Sequence, residues 1–139
     1  MAEIKISELS IGDWVRDKNG IIAKVRAIEN WSDGYVLNVQ TVSGTICTLT
    51  ATGALPIPLT PEILEKNGFR KLDRFNEYVI GEWDSNPFIA VRLAEKFVEP
   101  TILVKNGGTS AHLFGPLGEN VHQLQHALRL AGVEKEIEL

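Results

Sequence analysis

Within about forty residues, turn signals cut the first part of the chain into short alternating stretches that suit an antiparallel sheet. Trp14 to Asp17 is short and rich in apolar residues. Asn19-Gly20 follows, and both residues tolerate the positive φ of a tight hairpin. In IIAKVRAIE, Ile21, Ala23, Val25 and Ala27 alternate with Ile22, Lys24, Arg26 and Ile28, so one face is apolar and the other mixed. NWSDG reads as a loop, YVLNVQTV alternates again, and Ser43-Gly44 turns the chain into TICTLTA. Four antiparallel strands are predicted.

Leu9, Gly12, Asp13 and Val15 form the pattern Leu-x-x-Gly-Asp-x-Val ahead of a turn and a long strand. It resembles the opening of Src-homology-3-like and Tudor-like barrels. The resemblance implies a barrel-like half, with a fifth strand near Ala54 to Leu59. Pro56 and Pro58 lack an N–H and would keep that strand at an edge.

Thr60-Pro61-Glu62 marks a helix start: a capping hydroxyl, a proline suited to the first helical position, and an acid facing the positive end of the helix dipole. Gly68 ends that short helix. YVIGEW, PFIAVRL, PTILVK and TSAHLF have strand composition, and Asn106-Gly107-Gly108 joins the last two as a hairpin. A second helix runs from Glu119 or Asn120 to Ala131, with Val121, Leu124, Ala127, Leu128 and Ala131 in one stripe. His122, Gln125, His126 and Arg129 are placed on the opposite, solvated side, and Leu130 lies off the stripe. VEKEIEL alternates as a terminal strand. The predicted class is α+β: a small antiparallel β-barrel-like subdomain over 1–58, and an α+β subdomain over 59–139 with a short helix, an antiparallel sheet, a C-terminal amphipathic helix and a terminal strand. The two are expected to pack as one unit.

Charge narrows the function classes. Among 139 residues the net charge is −4, and neither half is basic, which argues against a binder driven by phosphate neutralisation. Cys47 is the single cysteine, so no internal disulfide forms. MAEIKISELSIGDW lacks the apolar core of a signal peptide, and no stretch has the ~18 apolar residues of a membrane span. A cytoplasmic protein without membrane attachment is expected.

ELSIGDWV, PIPLTPEILEKNGF and VHQLQHALRLAGVEKEIEL together resemble a family of small, uncharacterised proteins encoded by prophages and mobile elements of gut bacteria. The resemblance implies a bacterial cytoplasm and a phage-related role; it supplies no activity, cofactor or site residue.

His122 and His126 have metal-ligand spacing, but Gln123 stands where a zinc protease needs its glutamate, and His112 makes at most a third ligand. No metal and no cofactor are expected. Cys47 reads as a small strand hydrophobe. No phosphate loop, nucleophile elbow or acid–base pair stands out, so no catalytic residue is assigned. Trp31, at a loop tip with Tyr35 close behind, suits a partner anchor. Leu130 is either covered by the terminal segment or exposed for self-association. Trp14 and Trp83 are expected in the core. Lys24 and Arg26, and separately Arg70, Lys71 and Arg74, are the small basic clusters that phosphate contact would use. The leading expectation is a non-enzymatic, phage-related accessory or protein-interaction module, binding another protein or itself. The alternatives are a nucleic-acid-binding module using the barrel-like half and an enzyme with an unrecognised site.

Overall fold

The computed structural model describes residues 3–31, 34–50, 53–74 and 76–139, with Trp31 described by its backbone only. The fold is α+β, with two antiparallel sheets, and it divides into two compact units, residues 1–57 and 58–139. Among the described residues no helix is long and apolar enough to cross a membrane.

The first unit is a sheet in the order β1-β2-β3-β4, formed by β1 (Trp14–Arg16), β2 (Ile22–Trp31), β3 (Gly34–Thr41) and β4 (Ile46–Thr50). The β1–β2 turn is closed by the Asp17 carboxylate, which accepts from Asn19 N at 2.8 Å and Ile21 N at 2.9 Å, while Gly20 supplies a φ of +83°. The Gly12-Asp13 pattern is a folding device. Gly12 N donates to Val25 O at 2.7 Å, Val25 N donates to Asp13 O at 2.9 Å, and the buried Asp13 carboxylate accepts from Ser10 N at 2.9 Å. These bonds stitch the entry to β1 onto the middle of β2. Val15, Ala23, Val25, Leu37 and Val39 form the core with Ile4, Leu9 and Ala54.

Strict alternation along β2 breaks at one residue. Val25 pairs with Val39 but Ala27 pairs with Asn38, so Arg26 is an extra residue, a β-bulge. Beyond it the faces exchange: Ile28, opposite Leu37, packs on the core in place of Ala27. β2 also runs on through Trp31, which pairs with Gly34, where a loop is predicted; residues 32 and 33 of that loop lie outside the described residues. The predicted fifth strand reduces to two isolated bridges: in the first unit Leu55 and Arg16 exchange backbone bonds of 2.8 and 3.0 Å, and in the second Pro58 pairs with Asn120. Pro56 and Pro58 interrupt the donor row there. Among the described residues the sheet is open and no barrel closes.

The second unit begins with α1 (Pro61–Lys66), capped by Thr60, whose Oγ1 accepts from Ile63 N at 3.2 Å. A five-stranded meander follows: β5 (Arg70–Lys71), β6 (Glu77–Ile80), β7 (Phe88–Arg92), β8 (Thr101–Asn106) and β9 (Thr109–Phe114). α2 (Val121–Leu130) packs on β8 and β9. Gln123 Oε1 reaches back to accept from Asn120 N at 2.9 Å and Glu119 N at 3.1 Å, satisfying donors at the helix start. Val121, Leu124, Ala127, Leu128 and Ala131 are all buried, as the stripe predicts.

Three expectations need correction. His122 and Gln125 are buried rather than solvated. At ~100° per residue Gln125 lies only about 40° from Val121, so the buried arc is wider than the stripe. The terminal VEKEIEL segment forms no strand. One side chain takes the place of a partner strand: Asn67 Nδ2 donates to Glu138 O and Glu138 N donates to Asn67 Oδ1, both at 2.8 Å, while Ile137 is buried. Trp83 lies in the β6–β7 connection and is 65% exposed, with Lys105 Nζ 3.8 Å from its ring centroid. Trp14 is only half-buried.

Tyr78, on β6, is buried. Burial first, and then the carboxylates of Glu65 and Glu62, push its hydroxyl above the ordinary 10.0. A raised folded value means that the unfolded chain loses this proton more readily. The contribution of Tyr78 to stability is therefore fully present below pH 10 and is lost as pH rises through the folded value. An alkaline titration should show loss of folding stability beginning above pH 10, and Tyr78→Phe should blunt it. An unchanged profile in Tyr78→Phe would contradict this.

Candidate functional site

In each unit one of the basic residues is already engaged. Lys24 sits over the Trp14 ring at 4.8 Å. Arg26 is exposed at the bulge. Arg70 is held by Glu82 at 3.0 Å and by Gly81 O at 3.1 Å. Lys71 and Arg74 are exposed, and the exposed Asp73 adjoins Arg74. A phosphate-binding stripe needs several cations on one face; here one cation stacks on an aromatic ring and another is already paired.

The histidines do not converge. His122 is buried with its ring edge-on to His126, centroids 5.7 Å apart, whereas His112 is exposed and stacks on Phe114 at 4.1 Å. Among the described residues no three of His, Cys, Asp and Glu are gathered so as to hold a metal. Cys47 is half-buried in the wall of an apolar cavity of about 330 Å³ in the first unit, with Ala23, Val39 and Leu49 beside it and Thr41, Ser43 and Thr45 at one side.

Of the predicted anchors, Tyr35 is 43% exposed at the start of β3 and Leu130 is 69% exposed at the end of α2, so the terminal segment does not cover it. The side chain of Trp31 lies outside the described residues.

The most unusual side chain was not among those anchors. Between β7 and β8 the chain makes a tight turn in which Glu95 and Val98 exchange backbone bonds of 3.1 and 3.0 Å. Lys96 and Phe97 form its tip. Phe97 has a φ of +67° and is 94% exposed. The left-handed region suits glycine or asparagine at a turn and is costly for a bulky residue. Little apolar surface is buried in return, since the ring is almost wholly exposed, with Lys96 Nζ 5.4 Å from its centroid. Phe97 is thus both strained and unburied.

The topology places more apolar surface at the same end of the sheet. β7 and β8 are antiparallel and joined by residues 93–100, and β9 leaves the sheet at that end. Thr101 pairs with Phe114, and Gly115 N donates to Pro100 O at 2.9 Å. Phe114 and Leu117 there are both exposed. Sequence offers little warning, because the Lys96-Phe97 tip contains no Gly, Asn, Asp or Pro. The chain has no match among protein-family models, curated proteins or solved structures.

Proposed function

We propose that this protein is a non-enzymatic, phage-related accessory module of the bacterial cytoplasm that binds another protein, with Phe97 as the principal anchor. The observation that carries this reading is the combination at Phe97 of a strained backbone and a ring 94% exposed. Strain at a surface aromatic has no value to folding, and it accumulates at functional positions where the surroundings hold it in place. Burying a phenyl ring in a partner's apolar socket recovers the hydrophobic free energy that folding leaves unused. Phe114 and Leu117 would form the apolar surround, with Lys96, Glu95 and Glu99 as a charged rim. Tyr35, Trp31 and Leu130 are secondary candidate contacts. The Leu-x-x-Gly-Asp-x-Val opening and the Leu55 bridge to β1 support reading the first unit as kin to Src-homology-3-like and Tudor-like barrels, which would serve as a scaffold in the same role.

Affinity capture from the bacterial host tests this, with Phe97→Ala compared against wild type and against Trp83→Ala as an exposed aromatic control. A protein retained by wild type and by Trp83→Ala should be lost from Phe97→Ala. Stability should change by less than ~1 kcal/mol, as expected of a surface position. Identical capture by all three would remove Phe97 as the anchor.

A further inference from the structure

The pleat gathers one face of the first sheet around a cavity of about 330 Å³. Thr45, Cys47 and Leu49 alternate along the chain, so they share the face on which Val39 pairs with Cys47 and Ala23 pairs with Thr41. Ala23 and Val39, 3% and 2% exposed, form the floor. Ile21 also lines the cavity and is 52% exposed, so folding leaves apolar surface bare at this site. The polar side is rich in acceptors. Thr41 Oγ1 and Ser43 Oγ are 2.9 Å apart, Ser43 Oγ and Thr45 Oγ1 are 3.4 Å apart, and Thr41 Oγ1 also accepts from Thr45 N at 3.1 Å. Two of the three hydroxyl protons are used within this row, while the oxygens keep lone pairs. Asp17 lines the cavity as well. Its Oδ1 accepts from Asn19 N and Ile21 N, which fixes the carboxylate, and its Oδ2 makes no hydrogen bond or ion pair among the described residues.

We infer that this cavity binds a small hydrophobic amine, its ammonium group held by Asp17 and the threonine–serine row and its hydrocarbon body laid on the apolar floor. The site lies in a different unit from Phe97 and does not rest on the function proposed above. Charge decides the head. A carboxylate already oriented by its turn, with an oxygen to spare, favours a cation, and an ammonium group brings donors and no acceptor to a wall of oxygens. The floor decides the body, since the side chains of Ala23, Val39 and Leu49 gain from losing contact with water when an apolar group enters. Volume decides the size. A cavity of ~150 Å³ takes benzene, so about 330 Å³ takes a ligand of roughly twelve non-hydrogen atoms. An anion of that size would be repelled by Asp17, and a neutral alcohol would leave its charge unmatched.

Titration calorimetry with phenylbutylamine, phenylbutanol and phenylbutyrate, probes matched in size and differing in charge, tests the inference. The amine should bind wild type with a Kd of about 1 mM or tighter, and phenylbutyrate at least about tenfold more weakly. Asp17→Asn keeps an oxygen for Asn19 N and Ile21 N, so the turn survives while the charge is removed. It should weaken the amine about fivefold or more and leave phenylbutanol unchanged within about twofold. Cys47, in the cavity wall and the single cysteine, gives a second reading that needs no variant. At about ten times its Kd the amine should slow the reaction of Cys47 with methyl methanethiosulfonate about tenfold, as occupancy requires, whereas phenylbutyrate at the same concentration should slow it no more than about twofold. No binding of the amine, equal affinity for amine and phenylbutyrate, wild-type amine affinity in Asp17→Asn, or amine binding that leaves Cys47 unprotected would each overturn the inference.

Discussion

Leu124→Ala should cost the fold about 3 kcal/mol or more, enough to unfold a large share of the protein near its midpoint temperature. Leu124 has 0% exposure at the centre of the α2 face that packs on β8 and β9. Removing its side-chain carbons loses their transfer free energy and leaves a cavity that the neighbouring Val121 and Leu128 cannot fill, a cost of ~2–5 kcal/mol in comparable cores. Against a total of ~5–15 kcal/mol for a domain, that is a large share. α2 has ten residues, too few to be stable alone in water, so its helical state depends on this burial. His126→Ala, on the half-buried flank, should cost under ~1 kcal/mol, with His122→Ala between the two, because His122 is buried. Urea denaturation of the three variants measures the order. Equal costs for Leu124→Ala and His126→Ala would mean that α2 is rotated from the orientation described.

Gly81→Ala should be comparably damaging for a different reason. Gly81 has a φ of +82°, and a Cβ there would stand 2.6 Å from Ser85 Oγ and 2.7 Å from Pro87 O. Neither neighbour can retreat cheaply. Pro87 O is backbone, and Ser85 Oγ is fixed by accepting from Glu82 N at 2.9 Å and donating to Glu82 O at 2.8 Å. The alanine therefore meets both an unfavourable backbone region and a clash, together about 3 kcal/mol or more. Gly68→Ala is the matched control. Its φ is +88° but a Cβ would meet nothing within 4 Å, so only the backbone term of about 1 kcal/mol applies. Thermal melting of the two variants separates clash from conformation. If they melt together, the β6–β7 connection is not packed as described.

Elements with local chemical punctuation were legible in the sequence. Thr60-Pro61 and Gly68 bound α1 because their roles, a capping oxygen and a left-handed stop, are decided within a few residues. The Asn106-Gly107-Gly108 hairpin and the Val121–Leu128 stripe are of the same kind. What escaped depends on partners distant in sequence. The bulge at Arg26 is visible only through the register against β3, and without it Ala27, not Ile28, reads as core. The terminal segment alternates like a strand, yet its partner is the Asn67 side chain, 71 residues away from Glu138. Gln125 escapes because the buried arc of α2 is wider than the apolar stripe that marks it in the sequence. At the candidate site, exposed Tyr35 and Leu130 could be nominated from residue type and position. Phe97 could not. Its turn is dictated by the pairing of β7 with β8, and the residue at the tip contradicts the local preference. A conflict between residue and conformation is visible only once the conformation is known.

The same conflict gives the account its most direct test, in Phe97→Gly. If the left-handed φ at Phe97 is strain held for the sake of a partner, glycine relieves it and loses no buried surface, because the ring is 94% exposed. Guanidinium denaturation of wild type and Phe97→Gly should show the variant more stable by about 1 kcal/mol, while partner capture is abolished. A Phe97→Gly protein less stable than wild type would show that the ring serves folding, and would contradict the reading of Phe97 as a binding anchor.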